Sequence, residues 1–189
     1  MVKSILLVGV GGQGTILASK LLTTGLMEAG YDVKMSEIHG MSQRGGSVSS
    51  QVRYGDKVES SVIEVGGADI LVSFEKMEAL RWLKYLKPDG KVVVNDYEIN
   101  SMPILSGKFD YPTGILEELS SKVPTKVVHA AKRAAELGNP KVMNVILLGT
   151  IIRSMGLEAI SWEKIIGDNV KAKFKELNLK ALTAGMDLV

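Results

Sequence analysis

Cysteine is absent from this sequence. That lack excludes disulfides, cysteine-ligated zinc, iron–sulfur clusters held by this chain, and a thiol nucleophile. Histidine is nearly absent too. The only two, His39 and His129, stand far apart, which argues against a histidine-rich metal site and leaves carboxylates alone for a cation such as Mg2+. No stretch offers the ~18 consecutive apolar residues of a membrane-spanning helix. The apolar run after Met1 is broken by glycine and polar residues too early for a secretory signal. A cytoplasmic protein with no membrane contact is expected. A strong charge of one sign is also missing: 23 basic and 21 acidic residues leave a net +2, no basis for nucleic-acid binding. The balance is uneven, with a net −3 over residues 1–120 and a net +5 over 121–189. The basic excess falls mostly on a predicted C-terminal helix, where a solvated face accounts for it.

What is present reads as one globular domain over residues 1–189. The chain is 46% hydrophobic and 23% charged, which is ordinary for a folded protein, and its 20 glycines cluster in the first third. The apolar run 4–9 has the length and continuity of a buried parallel strand. A glycine turn, a helix over 15–30 and a short strand over 32–37 complete a predicted βαβ unit. Residues 47–54 and 57–63, parted by Gly55 and Asp56, predict a β-hairpin. The α/β alternation then resumes: strand 68–74, helix 75–86, a turn at Pro88-Asp-Gly90, strand 91–96, a long connection 97–114, helix 115–122 and strand 125–130. The end is helical, over 130–137, 142–155 and 162–182, and the last stretch places Ile165, Ile166, Val170, Phe174 and Leu177 on one apolar face. The predicted fold is α/β, Rossmann-like: three α/β/α layers, a mostly parallel sheet with an inserted β-hairpin, and a helical C-terminus.

Two loops stand out. Gly9, Gly11 and Gly14 satisfy G-x-G-x-x-G between a strand and a helix, with Gly12 and Gln13 inside it. Glycine permits the tight turn and lets backbone amides approach a ligand, and the helix start favours an anion. Three readings stay open here: a dinucleotide such as NAD or FAD, a ligand-free structural turn, and a phosphate group or a partner subunit. Glu37 is the nearest acid for a ribose. The second loop, residues 39–46, gathers His39, Gly40, Met41, Ser42, Gln43, Arg44, Gly45 and Gly46 at the C-terminal end of the second strand, the edge where open α/β sheets take ligands. Arg44 offers a fork of donors for phosphate or carboxylate. Ser42 and Gln43 can orient a carbonyl, and Met41 can pack on an apolar arm. An exposed loop whose Arg44 pairs with Glu37 explains the same residues. His39 has no companion at a catalytic spacing, and Ser42 has no elbow motif around it.

Residues 8–14 and 37–48, together with 137–149, resemble the gamma-type subunits of 2-oxoacid:ferredoxin oxidoreductases. The indolepyruvate branch is the nearer: His39-Gly-Met-Ser-Gln-Arg-Gly-Gly46 stands where pyruvate and 2-oxoglutarate subunits carry a Tyr-Gly-Pro-Glu-Met-Arg-Gly-Gly type of loop. The resemblance spans essentially the whole chain. It implies a small subunit, inactive alone, that works with a large alpha subunit carrying thiamine diphosphate, Mg2+ and iron–sulfur clusters. The implied reaction oxidatively decarboxylates an aryl 2-oxo acid, passes its acyl group to coenzyme A and reduces ferredoxin. No cofactor or metal is then held tightly by this chain, and Gly11, Gly12, Gln13 and Gly14 with Ser42, Gln43 and Arg44 would line a CoA or subunit-interface face. Other branches of the family, acting on pyruvate, 2-oxoglutarate or 2-oxoisovalerate, a stand-alone NAD- or FAD-binding enzyme, and a pure scaffold are the alternatives.

Overall fold

The computed structural model describes residues 1–40 and 45–189. The strands are β1 (Lys3–Val10), β2 (Asp32–His39), β3 (Ser47–Gly55), β4 (Ala68–Ser73), β5 (Leu86–Asn95) and β6 (Thr125–Val128). The helices are α1 (Thr15–Glu28), α2 (Lys76–Trp82), α3 (Met102–Leu105), α4 (Ile115–Lys122), α5 (Ala130–Glu136), α6 (Met143–Met155), α7 (Trp162–Asn169) and α8 (Lys175–Met186). The strands form one sheet in the order β2-β3-β1-β4-β5-β6. β1, β4, β5 and β6 pair in parallel, and β3 runs antiparallel to both its neighbours.

The period-2 alternation of β1 feeds both sides of the sheet. Ile5 and Leu7 enter the larger core with Ile70, Val72 and residues of α1 and α5 to α8, while Leu6 and Val8 enter a smaller core with Leu71, Val94 and residues of α2 and α4. A strand covered on both faces reads as the unbroken apolar run seen in the sequence. The predicted α/β/α layering and mostly parallel sheet are what the protein adopts.

Strand pairing departs from expectation in one place. β2 runs in the same direction as β1 but does not lie beside it, because β3 sits between them. The hairpin is β2 with β3, paired from Asp32↔Gly55 to His39↔Val48. Residues 57–63 add no strand to it. Their backbone is held by side chains instead: Val58 N–H donates to Asp32 Oδ2 at 2.8 Å and Ile63 N–H to Gln51 Oε1 at 2.6 Å. Burial explains the order. Ser49 to Val52 of β3 are buried and suit an interior strand, whereas most of β2 is exposed and suits an edge.

Two further expectations are corrected. Pro88, Asp89 and Gly90 make no separate turn; they lie within β5 as an irregularity where the register with β4 shifts between Ala68 and Ile70. The stretch 162–182 is two helices. Asn169 Nδ2 donates back to Ile165 O at 2.9 Å, Val170 is extended, and a short 3-10 turn at Ala172–Phe174 leads into α8. Phe174 therefore leaves the predicted apolar face and stands 39% exposed beneath the Lys173 ammonium. α8 packs on α6 backbone to backbone. A Cβ on Gly185 would lie 1.9 Å from Ile146 O, and one on Gly149 would lie 2.2 Å from Leu182 O.

Candidate functional site

β1 ends at Val10 opposite Ser47, the first residue of β3. The β1–β3 ladder then runs on into the two glycine loops. Gly11 N–H donates to Gly46 O at 2.8 Å, and Gly45 N–H donates to Gly11 O at 3.2 Å. The loops are thus backbone-bonded neighbours at the C-terminal rim of the sheet. The interposed β3 brings them together, since its start, with Gly45 and Gly46 before it, lies beside the end of β1.

The first turn is set by Gly14, whose φ of +82° no L side chain adopts readily. A Cβ there would also meet Asn144 Nδ2 at 2.6 Å. α1 starts at Thr15 with no side-chain cap and no acid in its first turn. Its leading amides keep their partial positive charge, the condition that favours an anionic group.

A cavity of about 360 Å3 opens where the loops meet. Gly11, Gly12, Gly14, Thr15 and Ile16 form one wall, and Glu37, Ile38, His39, Val48 and Ser50 form the other. Glu37 accepts a hydrogen bond from Ser19 Oγ at 3.1 Å, which ties β2 to α1 behind this cavity. A second cavity of about 630 Å3 lies on the other flank of the first loop, against Tyr97, Ile99, Lys141 and Asn144. Gly11, Gly12 and Gly14 line both, so the first glycine turn is the wall between them.

The predicted site residues divide accordingly. Gly11, Gly12, Gly14 and His39 face the smaller cavity, and Gly45 and Gly46 clamp the turn. His39 is exposed, its ring Nδ1 3.3 Å from Gly40 O. Gly9 lies beneath the turn, where a Cβ would strike Gln13 Oε1 and Phe74 Cβ. Gln13 is engaged internally: Val10 N–H donates to its Oε1 at 2.8 Å and its Nε2 donates to Phe74 O at 2.9 Å. Met41, Ser42, Gln43 and Arg44 lie outside the described residues.

Sequence reasoning missed the groups that floor the rim. Glu75 is fully buried, caps α2 by accepting from Glu78 N–H at 2.9 Å, and accepts from Tyr111 Oη–H. That phenol also accepts from Met77 N–H at 3.1 Å, so it anchors the 97–114 connection to the sheet edge. Burial first, then the Glu75 carboxylate, pushes the Tyr111 phenol well above its ordinary range. Lys76 bridges Glu98 and Asp96 and is held above the usual lysine value, chiefly by its bond to Glu98. The available signal was a polar residue closing each apolar strand: Glu75 after 70–74, and Asn95 after 92–94.

The side chains do not fit an iron–sulfur cluster. There is no cysteine in the chain, and among the described residues no three His, Asp or Glu side chains gather as metal ligands. No helix among them is long and apolar enough to cross a membrane.

The family profile described as Pyruvate ferredoxin/flavodoxin oxidoreductase matches residues 4–188. The protein of Pyrococcus horikoshii named indolepyruvate oxidoreductase subunit IorB is 38% identical over 97% of this chain and 94% of its own. The 2-oxoglutarate synthase subunit KorC of Methanothermobacter thermautotrophicus is 28% identical over 99% of this chain and 95% of its own. The crystal structure of pyruvate oxidoreductase subunit PORC from Thermotoga maritima superposes with a TM-score of 0.75 at 24% identity, covering 98% of this chain and 96% of that one.

Proposed function

This chain belongs to the pyruvate ferredoxin/flavodoxin oxidoreductase family, and from that we propose that it is the small subunit of an indolepyruvate ferredoxin oxidoreductase. The observation that carries the reading is the end-to-end match to an IorB subunit at 38% identity, against 28% for a 2-oxoglutarate subunit of equal coverage. On this reading all of residues 1–189 act as one domain, in the cytoplasm, within a heteromer. A large alpha subunit contributes thiamine diphosphate, Mg2+ and iron–sulfur clusters; this chain has no cysteine for the clusters, and among the described residues no His, Asp or Glu cluster gathers for a metal. Those groups, when present in the complex, supply the decarboxylation and the two-electron oxidation of the acyl carbon, with ferredoxin as acceptor and coenzyme A as acyl acceptor.

What remains for this chain is binding and orientation. The glycine loops are bonded through Gly11, Gly45 and Gly46, and the leading amides of α1 bring partial positive charge to one wall of the smaller cavity, while the Glu37 carboxylate on the other wall accepts from Ser19. Coenzyme A brings a thiol at one end and phosphates at the other. The rim suits a phosphate or pantetheine segment more than the reacting thiol, because His39, the imidazole among the described residues that line the smaller cavity, stands exposed. Arg44, which lies between β2 and β3 in the sequence, would add a cationic fork. Arg44→Ala in the assembled enzyme should raise the KM for CoA about tenfold, the scale of one charged hydrogen bond of about 1.5 kcal/mol, with the KM for the 2-oxo acid unchanged. An unchanged KM for CoA removes CoA from this rim. Relative turnover on indolepyruvate, pyruvate and 2-oxoglutarate then tests the branch: an aryl preference is expected, and a preference for 2-oxoglutarate would move the chain to the sister group.

A further inference from the structure

One unbroken line of amides crosses the floor of the rim. Val10 N–H donates to Gln13 Oε1 (2.8 Å), Gln13 Nε2 donates to Phe74 O (2.9 Å), Asn95 Nδ2 donates to the same carbonyl (3.2 Å), and Ala130 N–H donates to Asn95 Oδ1 (2.9 Å). The line ties the end of β1 to the end of β4, the end of β5 and the first residue of α5. Phe74 and Asn95 are fully buried. Burying polar side chains here costs desolvation that an apolar pair of similar volume would avoid. What the amides give in return is fixed orientation, since each has a single satisfied arrangement. The element they orient is the turn that divides the two rim cavities. The turn is held from above by Gly45 and Gly46. From below, the side-chain hydrogen bonds that reach it among the described residues are this line and Asn144 Nδ2 on Gly14 O at 3.4 Å.

We infer that Gln13 and Asn95 are positioning residues: acting through the Phe74 carbonyl they share, they hold the first glycine turn at the angle from which its amides meet the acyl-acceptor substrate. Gln13 thereby moves from ligand contact to support, and Asn95, two strands away from the turn, joins the same device. The inference rests on the proposed CoA reading of the rim.

The test uses the assembled complex carrying Gln13→Met, Gln13→Glu, Asn95→Ala and the Gln13→Met/Asn95→Ala double variant. CoA affinity is measured by titration calorimetry, turnover at saturating CoA, and amide hydrogen exchange over residues 11–15. Each single variant should weaken CoA about tenfold or more, the scale of a sub-ångström to ångström misplacement, while saturated turnover and retention of the large subunit stay within about twofold. Exchange over 11–15 should quicken. Gln13→Glu keeps the acceptor for Val10 but loses the donor to Phe74, so it should behave like Gln13→Met and locate the effect at the shared carbonyl. The double variant should be no worse than the worse single, because both act through one atom. Lower thermal stability with CoA affinity and exchange unchanged, or losses that add in the double variant, would overturn the inference. Arg44→Ala separates the two claims: a CoA defect there with none in these variants discards the positioning role and leaves the CoA reading standing, whereas no CoA defect in any variant discards both.

Discussion

At the scale of single residues, the two ends of the sheet behave differently. The C-terminal rim is floored by Tyr111 and Glu75, and the opposite end is closed by Asp69. Removing the Tyr111 hydroxyl leaves a fully buried Glu75 carboxylate short of a donor and Met77 N–H short of an acceptor. Tyr111→Phe should therefore cost about 1–3 kcal/mol in urea unfolding, and a loss below about 0.5 kcal/mol would show that water replaces the phenol freely. At Asp69 burial acts to raise the carboxyl, but bonds from Lys87 and Ser4 N–H, with Lys3 nearby, outweigh it and hold the group below the usual carboxylate range. A lowered folded value means that the stabilisation is fully present above the unfolded value of about 4 and is lost as pH falls through the folded one. Asp69→Asn should lower stability at neutral pH and flatten the acid limb of a stability–pH curve. An unaltered acid limb would contradict the assignment.

At the scale of elements, the α6–α8 contact is the most exacting. Gly149 and Gly185 let two helices meet with a Cβ-sized gap at neither position. Gly149→Ala should cost at least about 2 kcal/mol through overpacking, against the ~1 kcal/mol gain that Ala brings to an open helix position; a rise in melting temperature would refute the close approach. The same scale shows what was legible in the chain. β1, β4 and the all-round apolar α6 were readable because burial on both faces leaves a long apolar run. The place of β3 was not, because pairing order is decided by which strand the rest of the sheet buries, and Ser49, Ser50 and Gln51 look polar in sequence while lying inside. The break at Val170 was hidden as well. Ile165, Ile166, Val170 and Leu177 keep a helical spacing that runs through it, and only the backward bond of Asn169 marks the stop. Of the site, the two glycine loops were legible as turn chemistry. Their direct bonding and the supporting Glu75, Asn95 and Tyr111 depend on contacts more than thirty residues apart in several cases, such as Gln13 with Phe74 and Asn95 with Ala130, which no local pattern carries.

At the scale of the whole molecule, the protein offers a backbone-bonded rim with cavities on both flanks of the first glycine turn. On the proposed reading it binds and orients while another subunit performs the electron chemistry. The usual nicotinamide site pairs the glycine turn with a ribose acid on the adjoining strand; here β3 stands between β1 and the strand that bears Glu37, and Glu37 faces the glycine turn across the smaller cavity while accepting from Ser19. The most direct test is reconstitution. The purified chain is titrated into a fixed amount of the large subunit of an indolepyruvate oxidoreductase, with indolepyruvate, CoA and oxidised ferredoxin, and ferredoxin reduction is followed. This chain alone should give no turnover, and the CoA-dependent rate should rise to a plateau at a stoichiometric ratio. Ferredoxin or NAD reduction by this chain in the absence of any companion protein would contradict the proposed reading.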